Sequence, residues 1–433
     1  MRTLWRMLLV LVMILGASLI GPSVLAQVEQ VEQVEDDVCQ EGEFSTGALW
    51  LICIPENSWN QDVIVFAHGY VPFNAPLDFY NLELPDGTFI PDLVQDLGFA
   101  FATTSYRQNG LAILEGSDDI RDLVNFFPEV AGQEPRRVYM TGASEGGIIT
   151  TLLMEQSPEL FSAGLPLCGP VGDFQRQLNY IGDFRLLFDY FFPDVLPGGP
   201  TAVPSELIDN WETVYIPLIQ QIIADNPDSI DQLIRVSGAA IDPNDRSTIE
   251  QTVLQLLWYN AFTTNDAVEK LNGNPYDNIG RQYEGSSNDE LLNQSVPRIA
   301  ADPAALAEVQ RYETTGQITK PMYMLHTTGD EIIPIWHHEL YSQKVGSSFT
   351  FVQGTPDRYG HCNFASSEIL VALGVLVLFV NIGDAVDNPE TVSIQTKGRQ
   401  LDSILQEFSR KSGVPMEELR EAENQLGIEL RTK

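Results

Sequence analysis

Gly142-Ala143-Ser144-Glu145-Gly146 stands between a strand-like run, Arg137-Val138-Tyr139-Met140-Thr141, and an apolar helical stretch from Ile148 to Met154. A serine so placed projects from a tight, strained strand-to-helix turn. Glycines two residues to either side leave room for that turn. The pentapeptide alone recurs by chance. Between strand and helix it commits the chain to a buried strand with a helix packed against it. If Ser144 is a nucleophile, much else is dictated. A hydroxyl attacks poorly without a base, and the base needs an acid to orient it.

The chain has five histidines, His68, His326, His337, His338 and His361. His361 lies in Asp357-Arg358-Tyr359-Gly360-His361-Cys362-Asn363-Phe364, past the last expected strand and before a long apolar helix. A histidine on that loop can swing over the sheet edge to the serine. His337 and His338 fall in a predicted helix and are expected at its solvent face. His326 ends a strand and is expected as a packed or supporting histidine, and His68 as a structural one. The acid should follow the strand before the histidine. His326-Thr327-Thr328-Gly329-Asp330-Glu331-Ile332-Ile333-Pro334 fits, with Asp330 the candidate and Glu331 its rival. Ser144, Asp330, His361 is then a Ser…acid…His order. A developing oxyanion needs two backbone N–H donors. Glu145, directly after the nucleophile at a helix start, supplies one. The loop after Asp62-Val63-Ile64-Val65-Phe66-Ala67 supplies the other, and in His68-Gly69-Tyr70 the donor is expected at Tyr70.

Buried strands recur around these residues. The run at Asp62–Ala67 is apolar throughout, as a strand covered on both faces requires. Phe99 to Thr104 is another. A helix follows, expected to be capped by Ser117, with Asp118 and Asp119 at its positive end and Ile120, Leu123, Val124 and Phe127 on one face. Strands alternating with helices imply a parallel sheet covered on both sides. The alternation stops at about Asp173, where the chain turns helical and aromatic-rich, and resumes at Pro321-Met322-Tyr323-Met324-Leu325. A further strand is expected over Ser348 to Gln353. Glu368 to Ile382 reads as a long apolar helix whose uncharged run is too short for a membrane span, so it should pack on the sheet.

With Ala67-His68-Gly69-Tyr70, Gly142-Ala143-Ser144-Glu145-Gly146, Gly329-Asp330 with Pro334, and Gly360-His361, the chain resembles the α/β-hydrolase superfamily over roughly residues 45–384. The resemblance implies an α/β-hydrolase fold: a mostly parallel eight-stranded sheet with helices on both faces. It implies acyl transfer to water, no metal and no cofactor. The chain looks more like secreted bacterial esterases of the feruloyl-esterase or polyester-hydrolase kind than cytosolic ones. It lacks the HGGG run of the lipase-type pattern. In such a fold Cys168 follows the next sheet strand, Ala163 to Leu167, and Cys362 adjoins His361 at the same carboxyl edge, so a bridge between them would pin the histidine loop.

The surplus between Ser144 and Asp330 is an expected helical cap over 173–316, so the hydrolase core is split into 39–172 and 317–384. Phe184, Phe188, Tyr190, Phe191 and Phe192, then Trp211, Tyr215, Trp258, Tyr259 and Phe262, either line a pocket for ring-bearing or long acyl groups or pack the cap helices. Residues 385–433 read as a small C-terminal module. It holds a short strand, two amphipathic helices around Gly413-Val414-Pro415 and a terminal strand. Through Thr391-Val392-Ser393-Ile394-Gln395 and Leu401-Asp402-Ser403-Ile404-Leu405 it weakly resembles a LysM module. That resemblance implies cell-wall glycan contact, with a plain helical appendage the alternative. The usual Gly-Asp pair is missing, and Lys397-Gly398-Arg399-Gln400 stands there instead.

At the other end, Arg2 and Arg6 precede an uncharged run, Met7 to Ile20, shorter than the roughly 20 residues a span needs. Gly21-Pro22 and Val24-Leu25-Ala26 follow. This is the pattern of a secretory signal over 1–26, with an uncleaved anchor as the alternative. Residues 27–38, a VEQ repeat, are an acidic linker. Secretion or periplasmic export makes the four cysteines interpretable. Of three pairings, Cys39 with Cys53 is favoured by sequence proximity across a hairpin, leaving Cys168 with Cys362. The 433 residues carry 60 acidic against 24 basic side chains, a net charge of −36. That excess disfavours nucleic acid and anionic membrane surfaces, both of which need basic patches. With 44% hydrophobic residues the chain is globular.

Three functions fit. The first is a secreted serine hydrolase cleaving small-molecule or polymer carboxylic esters through Ser144, His361 and Asp330. The second is a peptidase or amidase with the same triad. The third is a non-catalytic surface-binding protein on a hydrolase scaffold.

Overall fold

The computed structural model describes residues 39–348, 350–386 and 392–428. The expected signal segment, the acidic linker and the terminal strand lie outside them.

Eight strands form one sheet: β1 (Cys39–Glu43), β2 (Leu49–Cys53), β3 (Asp62–Ala67), β4 (Ala100–Thr104), β5 (Arg137–Ala143), β6 (Ala163–Leu167), β7 (Met322–Leu325) and β8 (Phe351–Gly354). Their spatial order is β1-β2-β4-β3-β5-β6-β7-β8. β1 and β2 pair antiparallel, as do β2 and β4, and every later pair is parallel. In the first hairpin Cys39 lies opposite Cys53, and a disulfide joins them.

The helices are α1 (Ile90–Asp96), α2 (Ile113–Ala131), α3 (Glu145–Gln156), α4 (Phe174–Phe191), α5 (Ser205–Asp209), α6 (Ile216–Asp225), α7 (Pro227–Ser237), α8 (Thr248–Lys270), α9 (Asp289–Ser295), α10 (Pro303–Val309), α11 (Trp336–Val345), α12 (Ser366–Ala385), α13 (Ile394–Ser412) and α14 (Met416–Gln425). A π-helical turn over Trp211–Tyr215 leads into α6. Because strand side chains alternate, β3 sends Val63 and Val65 to a core under α2 and α3, and Ile64 and Phe66 to a core under α1 and α12. This double covering is why β3 carries no polar face. α3 is buried along almost its whole length, since β5, β6 and α2 enclose it.

α2 begins a turn before the expected cap. Ser117 is inside it, its hydroxyl donating to the Ile113 carbonyl at 2.7 Å. Asp119 is no helix-end charge either: it is buried and accepts from the Arg107 Nε at 2.9 Å and from its backbone N–H at 2.7 Å.

Between β6 and β7 a third apolar core is built from α4 to α9. Phe184, Phe188 and Trp211 are buried within it, and Trp258 stacks on Phe262 at 4.9 Å between ring centroids. Most of the aromatic stock of this segment therefore packs the cap.

α12 is long and apolar enough to cross a membrane by composition. Yet 72% of its most apolar window is buried inside the protein, against the sheet and against α13 and α14. The C-terminal helices are thus part of the main core, not the small separate unit expected. Leu401 and Leu405 close over Gly374, where a Cβ would come 2.9 Å from Leu405 Cδ2. Phe408 meets the Phe99 ring edge-on, and Lys411 Nζ donates to the Leu97 carbonyl at 2.8 Å. Nor is there a strand over Val392 to Gln395. Ser393 caps α13 by accepting from the Thr396 N–H, and the helix starts at Ile394 (Thr391 lies outside the described residues). A serine with an unpaired N–H three residues on is a helix start, and that local bond wins over the β-branched residues around it.

Candidate active site

Ser144 is the hinge between β5 and α3, with φ at 57°. A non-glycine residue in that region costs about 1–3 kcal/mol and persists only where its surroundings enforce it. The enforcement is visible. A Cβ on Gly146 would sit 2.0 Å from the Ala67 carbonyl oxygen, and one on Gly142 would sit 2.5 Å from that of Gly146. Glycine at both positions lets α3 close onto the end of β3 and drives the serine outward. The Ser144 N–H donates to the Leu167 carbonyl at 2.9 Å, which ties the turn to the end of β6.

Asp330 and His361 arrive on neighbouring loops. Beyond β7 and β8 the chains stay zipped: Gly329 N–H donates to Arg358 at 3.0 Å, Gly360 N–H to Gly329 at 3.1 Å, and Thr327 Oγ1 to Gly360 at 2.7 Å. This extension carries Asp330 beside His361. Asp330 Oδ2 lies 2.8 Å from His361 Nδ1, while Oδ1 accepts from the Ile332 and Ile333 N–H groups at 3.0 and 2.7 Å. With an acceptor carboxyl at Nδ1, the proton of the neutral ring sits on Nδ1 and Nε2 is left as the basic nitrogen. Burial works against a charge on His361, but Asp330 and the nearby Glu331 outweigh it, and the imidazole is raised above its ordinary value.

A disulfide closes the assembly. Cys168 directly follows Leu167, the acceptor of the Ser144 N–H, and is bonded to Cys362, the residue after His361. Cys362 Sγ is 3.5 Å from His361 Nε2. The turn that holds the serine and the loop that holds the histidine are therefore linked through two covalent neighbours. The same bond occupies both sulfurs, so the grouping of Cys168, His361 and Cys362 offers no thiolates to a metal. No Ser144–His361 hydrogen bond is formed among the described residues. Such bonds are often long without substrate and tighten when it binds.

Tyr70 and Glu145 both border the cavity that holds Ser144. A Cβ on Gly69 would be 3.4 Å from Ser144 Cβ, so the loop after β3 runs alongside that serine. The Tyr70 hydroxyl donates to the Phe262 carbonyl of α8 at 2.8 Å and anchors that loop to the cap. Among the described residues no protein acceptor pairs with the backbone N–H of Tyr70 or of Glu145. The cavity, about 120 Å³, is roofed by α4 and α8 and lined mainly by apolar side chains such as Phe174, Ile181 and Ile332.

The other histidines are buried, two of them contrary to expectation. His337 accepts from the Gly172 N–H at 3.0 Å through Nδ1 and pairs Nε2 with Gln177 Oε1 at 2.9 Å, pinning the entry into the cap. His338 is enclosed beside His326, and burial holds it down to about 3. The spacing within α11 is blind to this, because the face it buries carries the polar rings of His337, His338 and Tyr341 and no apolar stripe. His326 lies behind the acid: its Nε2 is 2.7 Å from the Ile333 carbonyl and 3.6 Å from Asp330 Oδ2. His68 stacks on Tyr106 at 3.9 Å, its Nδ1 2.7 Å from the Gly69 carbonyl. Glu331 is fully buried, and burial and Asp330 push it up to about 7. The bond to His361 Nδ1 comes from Asp330, not from this rival. Sequence reasoning missed the place of Tyr259. One of several cap aromatics, it alone combines a position in the cavity wall with a hydroxyl facing Ser144.

A serine on a strained strand-to-helix turn, an acid after β7 and a histidine after β8, all at the carboxyl edge of one sheet, decide the architecture. The fold is that of the α/β-hydrolases. No protein-family model matches the chain. A stretch of 106 residues is 29% identical to a feruloyl esterase B of Talaromyces funiculosus, covering 24% of this chain and 28% of that protein. A stretch of 133 residues is 29% identical to a feruloyl esterase B of Talaromyces stipitatus, covering 27% and 35%. The matches thus span about a third of the length of these relatives. The crystal structure of feruloyl esterase B from Aspergillus oryzae aligns with a TM-score of 0.41 at 13% identity, over 79% of this chain and 80% of that one.

Proposed function

We propose that this chain is a secreted serine hydrolase of carboxylic esters. The observation that carries the reading is the His361 Nδ1–Asp330 Oδ2 bond of 2.8 Å, tethered through Cys362 and Cys168 to the turn that presents Ser144. Its partial likeness to two proteins named feruloyl esterase B favours an ester over an amide as the bond cleaved. Two disulfides suit an oxidising compartment.

Ser144 Oγ attacks the ester carbonyl while His361 Nε2 takes its proton. Asp330 holds the ring and offsets the imidazolium charge. The oxygen that becomes negative is met by the backbone N–H groups of Tyr70 and Glu145, the second at the positive end of α3. His361 returns its proton to the departing alkoxide, leaving an acyl-serine. Water enters, loses a proton to Nε2, and attacks; collapse expels Ser144 Oγ, which recovers the proton. The acid product leaves. The apolar cavity under α4 and α8 receives the acyl part.

Hydrolysis of short and long acyl p-nitrophenyl esters, aromatic esters and aminoacyl anilides tests this, with Ser144→Ala as control. Ester turnover abolished by Ser144→Ala is expected. Turnover that survives the substitution contradicts the mechanism, and anilide turnover without ester turnover makes the chain a peptidase.

A further inference from the structure

Glu145 enters the mechanism above only through its backbone. Its side chain is placed unusually. It stands one residue after the nucleophile, is 6% exposed, and borders the same cavity as Ser144, Tyr70 and Tyr259. Oε1 accepts from the Ala112 N–H at 2.8 Å, whereas Oε2 is buried with no partner. Among the described residues no cation forms an ion pair with the carboxyl. Lys270, whose charge acts on it, is committed to Asp266 at 3.0 Å and to the Asn109 carbonyl at 2.6 Å, and Asp266 in turn accepts from the Leu111 N–H. The remaining groups facing Glu145 are Glu115 of α2, Tyr70 and Tyr106 on the loops after β3 and β4, Tyr259 of α8, and Tyr312 after α10. A buried carboxyl with one satisfied oxygen and no ion-paired partner favours its neutral form.

We propose that the neutral Glu145 carboxyl is the working form of the active site, and that its ionisation shuts the site by setting an anion against the oxyanion forming on the same residue's N–H. The neutral acid fills the wall of an apolar acyl pocket at no charge cost. The carboxylate sits within the same residue as one of the two donors and opposes the charge they stabilise. Burial moves the group up to about 8; Asp266 and Glu115 add to the rise, while the Ala112 bond and Lys270 oppose it. Below that value Glu145 leaves the oxyanion unopposed, and the site closes as pH rises through it.

The inference rests on the ester-hydrolase reading, and two kinds of measurement separate their failures. The first is kcat/KM on a neutral ester from pH 6 to 10, with spontaneous hydrolysis subtracted. The wild-type value is expected to fall at least tenfold between pH 8 and 10, and Glu145→Gln to lose that limb. Asp266→Asn removes a negative neighbour and should move the limb to lower pH. Lys270→Gln removes a positive one and should move it to higher pH. These two variants decide the matter even if Glu145→Gln does not fold. The second is an infrared difference titration of wild type against Glu145→Gln, which needs no turnover. A protonated carboxyl band present at pH 7 and lost above pH 9 is expected. An unchanged alkaline limb in Glu145→Gln, no opposite shifts in the two charge variants, or no such band at pH 7 overturns the proposal. Absent ester turnover with the band intact would instead strike only the ester-hydrolase reading.

Discussion

At the residue scale, the site depends on a few side chains whose neighbours hold them in place. Ser144 holds a φ of 57° because Gly142 and Gly146 let three backbone segments converge. Gly146→Ala would force a methyl to within 2.0 Å of the Ala67 oxygen. Since backbone has to move, a loss of about 1–3 kcal/mol or more is expected, read by denaturant unfolding. Asp330→Asn keeps the shape of the acid but changes what it can accept from Nδ1, and should lower kcat by roughly 10⁴. The raised His361 fixes the acid side of the pH profile. The base works when neutral, so kcat/KM should fall as pH drops through a value above 6.5, and that midpoint should lie higher than in an unperturbed histidine. The strained turn at Ser144 and the meeting of Asp330 with His361 were legible because each needs a particular residue type in a particular local frame. The buried states of His337 and His338 were not, because the buried face of α11 is made of polar rings and shows no apolar stripe to read.

At the scale of elements, the sheet was legible from its strands. A run such as Asp62–Ala67, apolar on both alternating faces, has only one economical home, a central parallel strand. Helix ends were less so. Ser117 and Asp119 looked like a start signal and are instead spent inside α2, because Ala112 is held by Glu145 and Asp119 by Arg107. The Cys168–Cys362 bridge ties the end of β6 to the loop after β8. Replacing both cysteines by serine should cost about 2–4 kcal/mol of stability, as removal of such links commonly does. It should also lower kcat more than it raises KM, because the histidine loop loses its tether while the acyl pocket keeps its walls. Steady-state kinetics on the double variant check this, and an unchanged kcat would detach the bridge from catalysis.

At the scale of the whole molecule, the cap and the C-terminal helices answer two needs. The cap closes the cavity beside Ser144 with α4 and α8 and consumes most of its own aromatics in packing. The last two helices cover α12, whose 20 residues are the most membrane-like of those described. Nothing in the tail's sequence said so, since an amphipathic helix does not name the surface it meets. Deleting residues 392–433 uncovers the seats of Leu401, Leu405 and Phe408. Each such side chain contributes about 1.5–3 kcal/mol when buried, so the truncated chain should melt at lower temperature and aggregate through α12, as thermal unfolding with light scattering will read. The net charge of −36 bears on solubility and steering rather than on the fold.

The central claim is that Ser144 is a nucleophile activated at this edge of the sheet. It is tested most directly by reacting the protein with a fluorophosphonate and mapping the adduct by peptide mass spectrometry. One phosphonyl group per chain on the peptide containing Ser144 is expected, with ester turnover lost in proportion and labelling abolished in Ser144→Ala. A label on another residue, or full ester turnover after Ser144 is modified, would contradict the account.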